Sequence, residues 1–223
     1  MSDKLRLVLH SGCAKVPDAE LQAILGALAE APVLGALTSS FRSLSLDGAL
    51  PLLVLHAALQ PASEAHAGAQ TDRFDAILRQ VWGTLGLVTP PAGGGQSEAE
   101  LLSVWARYTS LRDSIVGSAR ARIDTCLTRY VKNHVLTTPY MLSENLFEYA
   151  YDLVVRLASL RFLLHTRLAG FAGSPAELDQ GIVEVTFAFA RAVEHAGLPR
   201  RLQATLAVQG LDGLAHATCF LAV

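Results

Sequence analysis

Arg161 sits in the run Ala158-Ser-Leu-Arg-Phe-Leu-Leu164, where a guanidinium must find a partner, reach water along its own stem, or hold a ligand. Just upstream, Asp152 and Arg156 are four residues apart, the spacing that brings a carboxylate and a guanidinium together on one helix face. A second polar group, Arg129-Tyr-Val-Lys-Asn-His134, falls at the end of a long helical pattern. Cations there complement the helix dipole, and the same side chains are of the type that hold a substrate. For each of these groups a purely structural role and a binding role are open.

Other chemistries lack their residues. The seven histidines, His10, His56, His66, His134, His165, His195 and His216, never take His-x-x-x-His or His-Glu-x-x-His spacing, so no metal site is expected. Glu194 and His195 are adjacent, but neighbours on a helix point about 100° apart, and His195 reads as a cap near Gly197. No Gly-x-Ser-x-Gly elbow occurs. The Gly93-Gly-Gly95 run lacks the Lys-Ser/Thr of a phosphate loop.

Composition narrows the classes further. The chain has 223 residues, 51% hydrophobic and 17% charged, with mean hydropathy +0.34, which is the profile of a folding chain with a substantial core. A formal charge of −2 gives no global field for nucleic acid or anionic lipid. The densest basic stretch, Arg120–Lys132, lies inside a long helical pattern rather than after a tight turn, so no nucleic-acid partner is expected. Cys13, Cys126 and Cys219 are too few and too scattered for a disulfide framework. Residues 1–15 lack the apolar core of a signal peptide, and no window approaches the roughly 18 apolar residues of a membrane span. A cytoplasmic protein without membrane contact is expected.

The elements that position these residues read as helices throughout. Ala and Leu dominate, and alternation of β-branched residues is hard to find, which predicts an all-α fold, an irregular multi-helix bundle with two long central helices. Helices are predicted over Ala19–Glu30, weakly over Val33–Leu46, over Ala49–Leu59, and over Thr71–Leu87. The segment Thr89-Pro-Pro-Ala-Gly-Gly-Gly-Gln-Ser97 breaks the pattern. It divides an N-terminal helical region, 1–88, from a C-terminal one, 98–223, with 89–97 as a linker or loop. Ser97 and Glu100 form a capping box that opens a long helix to about Leu136, with a bend at Gly117. A second long helix runs from Ser143 to about Ala169. Pro175 starts another with Glu177 and Asp179 at its positive end, and Leu211–Ala222 is a last apolar helix. The nearly all-apolar faces of Ala49–Leu59 and Leu211–Ala222 leave room for a homo-oligomer.

Four pieces in order carry a family resemblance: Arg129-Tyr-Val-Lys-Asn-His-Val-Leu-Thr-Thr-Pro-Tyr140, Leu146-Phe-Glu-Tyr149, Val155-Arg-Leu-Ala-Ser-Leu-Arg-Phe-Leu-Leu164, and Phe187-Ala-Phe-Ala-Arg-Ala-Val-Glu-His195. Together, across about residues 97–220, they resemble the C-terminal helical half of the flagellin lysine-N-methylase family. The resemblance implies a protein lysine N-methyltransferase acting on flagellin, or on another protein substrate, with S-adenosylmethionine as methyl donor. Methyl transfer needs a neutral lysine amine in line with the sulfonium. By type and proximity, Tyr130, Tyr149, Glu148 and Asp152 are the candidates to orient that amine. Arg129, Asn133, His134, Arg156 and Arg161 are the candidates to hold donor or substrate. Family members are longer, with a cysteine-rich N-terminal segment of Cys-x-x-x-Cys-Cys type read as an iron–sulphur ligand set. This chain has no such segment, and no iron–sulphur cluster is expected in it. The alternative expectation is a non-catalytic helical module that binds a protein or ligand. An enzyme should line one cleft with Asn133, Tyr149, Arg156 and Arg161, whereas a module should satisfy those side chains among themselves and expose an apolar groove elsewhere.

Overall fold

A helix through Ala158–Thr166 turns small or apolar side chains in nearly every direction, so it is stable only when surrounded. In the structure, a computed structural model, every residue of this run except Arg161 is buried. The structure describes residues 69–87, 98–138 and 146–196, with the single positions Ala19, Ala23, Gly26, Glu30, Pro32, Gly35, Ala36, Ser39, Leu55, Leu59 and Phe220. Among the described residues there are five helices and no strand, so the fold is all-α as the composition predicts. They are α1 (Ala69–Leu85), α2 (Glu98–Ser114), α3 (Gly117–Thr137), α4 (Leu146–Leu168) and α5 (Pro175–Ala196). The other four all pack on α4, and α5 also packs on α1 and α3. None of the described helices is long and apolar enough to cross a membrane.

The core is layered around the rings of α4 and its neighbours. Phe162, fully buried, lies between Trp82 of α1 (centroids 5.3 Å apart) and Tyr108 of α2 (5.0 Å). Phe189 of α5 meets Phe74 at 6.4 Å and Tyr130 at 6.1 Å. Leu55, Leu59 and Phe220 are buried in the same cluster. The rest of the helices predicted over Ala49–Leu59 and Leu211–Ala222 lies outside the described residues, as do the Ser97 capping residue, the Pro/Gly-rich segment 89–97 and Gly197. The helices predicted over Ala19–Glu30 and Val33–Leu46 also fall almost wholly outside them. Helix α1, which precedes the Pro/Gly-rich segment, packs against α4 and α5. The exposed Arg73–Glu184 ion pair (2.9 Å) also links α1 to α5, a contact that contributes little in water.

Helix ends follow local chemistry. At the end of α1, the Leu87 N–H donates to the Trp82 carbonyl (2.8 Å) and the Gly86 N–H to that of Gly83 (3.0 Å). This paired pattern requires a left-handed residue after the helix, supplied by Gly86 at φ +75°. A β-carbon there would strain the backbone and displace the exposed Arg107 guanidinium. Gly86→Ala is therefore expected to lower the unfolding free energy by about 1–2 kcal/mol, read as a shift in the urea midpoint at unchanged m-value. A neutral substitution would show that this turn is not formed in solution.

The long helix predicted from Ser97 to Leu136 is two helices. Ile115 points into the core, Val116 takes an extended conformation (φ −128°, ψ 171°), and Gly117 resumes at φ +60°. A β-branched pair followed by glycine offers a low-cost place to leave the helix, and burial of Ile115 fixes the new direction of α3. Helix α5 opens on a reciprocal box. The Glu177 carboxylate accepts from the Ser174 N–H (2.7 Å) and hydroxyl (2.9 Å), and the Ser174 hydroxyl accepts from the Glu177 N–H (3.3 Å). With Pro175 at the first helical position, this is a capping box. The Ser174 backbone hydrogen bond holds the Glu177 carboxyl below its ordinary range.

Candidate functional site

A step of four residues along a helix returns close to the same face, so Leu157, Arg161 and His165 form one row of α4. The upper part of that row faces α3, where Arg120, Asp124, Leu127, Thr128, Val131 and Lys132 form the opposite wall. Between the two walls is a groove of about 490 Å³, with Leu157 and Arg161 on the α4 side. Three cationic side chains line it against one carboxylate, and that carboxylate, Asp124, is paired with Arg120 at 3.3 Å. The Thr128 hydroxyl, on the same wall, donates to the Asp124 carbonyl (2.8 Å). Lys132 is exposed at the rim, with no ion pair among the described residues.

Arg161 also interacts with Tyr108, one of a buried polar pair that does not itself line the groove. Arg161 is half-buried, and its guanidinium donates to the Phe220 carbonyl (3.4 Å). Burial lowers its proton affinity below the ordinary guanidinium range; nearby Tyr108 opposes this, and Arg112 and Arg120 reinforce it as like charges. His165 and Tyr108 are fully buried, joined by a 3.2 Å hydrogen bond between the tyrosine hydroxyl and Nδ1. Nε2 of His165 is buried and meets no hydrogen-bond partner among the described residues. A second ring proton would therefore have no acceptor, and burial first, then Arg120, Arg161 and Arg112, push the imidazole pKa from 6.5 down to about 3. His165 is thus neutral at pH 7. Burial likewise pushes the Tyr108 phenol far up, so the pair enters the core without charge.

The residues singled out by type in the sequence are not brought to one place. Asp152 and Arg156 form the expected ion pair, at 2.6 Å and mostly buried. Their positions lie about 180° and 140° around α4 from Arg161, away from the groove. Tyr149 stacks on His134 (5.7 Å, 27°), and His134 is buried. Tyr130 packs on Phe189, and Glu148 is half-buried on the first turn of α4. Arg129 and Asn133 are exposed, about 140° and 180° around α3 from Asp124. Of the four side chains an S-adenosylmethionine cleft was to share, only Arg161 lines the groove.

Two parts of the site have different sequence visibility. Arg120, Asp124, Thr128 and Lys132 recur at steps of four, a polar stripe that spacing could have shown. Tyr108 and His165 are 57 residues apart and no local pattern links them. Among the described residues, no three His, Cys, Asp or Glu side chains are grouped to hold a metal ion. No protein-family model, curated protein or solved structure matches this chain.

Proposed function

We propose that this chain is a helical binding module whose functional face is the groove between α3 and α4. The observation that carries the reading is the division of the polar residues. Arg156 pairs with Asp152 and Tyr149 stacks on His134, apart from the concavity that gathers Arg161, Lys132 and the Asp124-paired Arg120. None of Asn133, Tyr149, Arg156 and Arg161 pairs with another of the four, so the mutual satisfaction expected of a module is not seen; what favours a binding face over a shared donor cleft is the gathering of cations away from the other three. The electrostatics point the same way. S-adenosylmethionine carries an ammonium and a sulfonium against one carboxylate, and its net positive charge opposes a groove with a cationic excess.

Lysine methylation of flagellin is the second reading, supported by the order and spacing of the four segments that resemble the lysine-N-methylase family. In that reading the donor lies outside the groove, and Tyr130, Tyr149 and Asp152 act only after moving from their present packing. A cytoplasmic location accompanies either reading. The deciding experiment is intact-mass spectrometry of flagellin co-expressed with this chain and alone. The module reading expects identical masses with the chain soluble and folded. Whole methyl increments that map to lysine and depend on the chain would overturn it in favour of the enzyme.

A further inference from the structure

We infer that the α3/α4 groove takes a small organic anion, with its carboxylate or phosphate head between Arg161 and Lys132 and its apolar body against Leu127, Val131 and Leu157. The inference rests on the binding-module reading above and adds the chemical class of the ligand. Its basis is a mismatch of charge. The chain as a whole is formally −2, yet the groove holds three cations and one carboxylate. That carboxylate already serves Arg120. Arg161 is partly withdrawn from water; Tyr108 and, more weakly, Asp124 favour its charge, while Arg112 and Arg120 act on it as like charges.

Cations held close together in a concave, partly dry site raise one another's energy, and a bound anion relieves that directly. A guanidinium offers a carboxylate or phosphate paired, planar donors, while the lysine at the rim adds a mobile point charge. The three apolar side chains make the rest of the surface unsuited to a fully hydrated ion such as free phosphate. They favour an oxyanion that carries a hydrocarbon or aromatic part. The volume, about 490 Å³, suits a ligand of metabolite size.

The test uses the full chain and three probes of similar shape: phenyl phosphate, benzoate and phenol, each titrated calorimetrically at low and moderate salt. Phenyl phosphate or benzoate is expected to bind saturably with Kd on the order of 1 mM, more weakly as salt rises, and phenol not at all. The tighter of the two anions identifies the head group. Lys132→Gln, at an exposed position that leaves the core intact, should weaken anion binding about three- to tenfold. Arg161→Gln should abolish it while circular dichroism stays helical. If Arg161→Gln does not fold, the Lys132→Gln change and the salt dependence still decide. Phenol binding as tightly as both anions would overturn the ligand class and leave a binding groove. No saturable binding of any probe up to about 10 mM would overturn the small-anion site, while the module reading itself stands or falls on the co-expression experiment.

Discussion

Phe162→Ala is expected to lower the unfolding free energy by about 3–5 kcal/mol, the range for deleting a buried aromatic ring. The ring is fully buried, in contact with Trp82 on one side and Tyr108 on the other. It therefore joins α1 and α2 to α4, and its loss removes transfer free energy, two aromatic contacts and the volume that keeps three helices apart. Collapse into the space is resisted because Tyr108 is tied to His165 and Trp105 packs on Tyr108 at 5.5 Å. Domains of ordinary stability have about 5–15 kcal/mol in hand, so the variant should unfold at much lower urea or be partly unfolded at the start. Tryptophan fluorescence reports the change directly through Trp82, with circular dichroism as the second probe. Val183→Ala, at an exposed position of α5 (59% exposed), is the control, expected within about 0.5 kcal/mol of the parent. A loss below about 1 kcal/mol for Phe162→Ala would mean that the α1–α2–α4 layer is not packed in solution.

The contrast between those two positions also shows what the sequence makes legible. Helical periodicity is local, and it located α1, α4 and α5 within a few residues while reading α2 and α3 as one helix. Phe74, Ile77, Leu78 and Val81 on α1 are buried as their spacing requires, and Pro175 does begin α5. The break between α2 and α3 was legible only as a bend, because the decision to leave the helix is made by the burial of Ile115, a tertiary term added to the local glycine preference. The start of α5 was legible from Pro175 and from Glu177 at its positive end, while the reciprocal bonds with Ser174 were not.

The site was less legible than the fold, for a physical reason. Residue type marks a side chain as able to do chemistry, but the face of the helix decides whether it can. Asp152, Arg156 and Arg161 are near in sequence and similar in kind, yet their angular positions send the first two into a private ion pair and the third to the groove. Arg120 and Asp124 have the i, i+4 spacing of an ordinary exposed helix pair, and nothing local sets them apart. They acquire another meaning only because α4 places a half-buried guanidinium opposite them. The Tyr108–His165 contact depends on the packing of α2 against α4, which no local pattern encodes.

That contact carries the second large expectation, an acid sensitivity centred on one imidazole. His165 has a folded-state pKa of about 3 against 6.5 in the unfolded chain, caused first by burial and then by Arg120, Arg161 and Arg112, with Asp113 opposing. Between those two values the unfolded chain binds a proton that the folded chain does not, so stability rises with pH across this window. The contribution is complete above about pH 6.5 and declines as pH falls, by about 1.4 kcal/mol for each unit. Over the whole window this amounts to about 5 kcal/mol, comparable with the total stability of many domains. Carboxylates held low in the fold, such as Glu177, act with the same sign but nearer their own range, so pH 7 to 5 isolates the imidazole. Urea unfolding at pH 7, 6 and 5 should give the parent a loss of about 2 kcal/mol over that interval. His165→Gln removes the titrating ring, keeps a polar partner for the Tyr108 hydroxyl, and should be less stable at pH 7 but lose about 2 kcal/mol less than the parent from 7 to 5. Taking the difference between the two slopes cancels every other histidine. Equal slopes would show that His165 titrates in water, and the buried Tyr108–His165 contact would then be wrong.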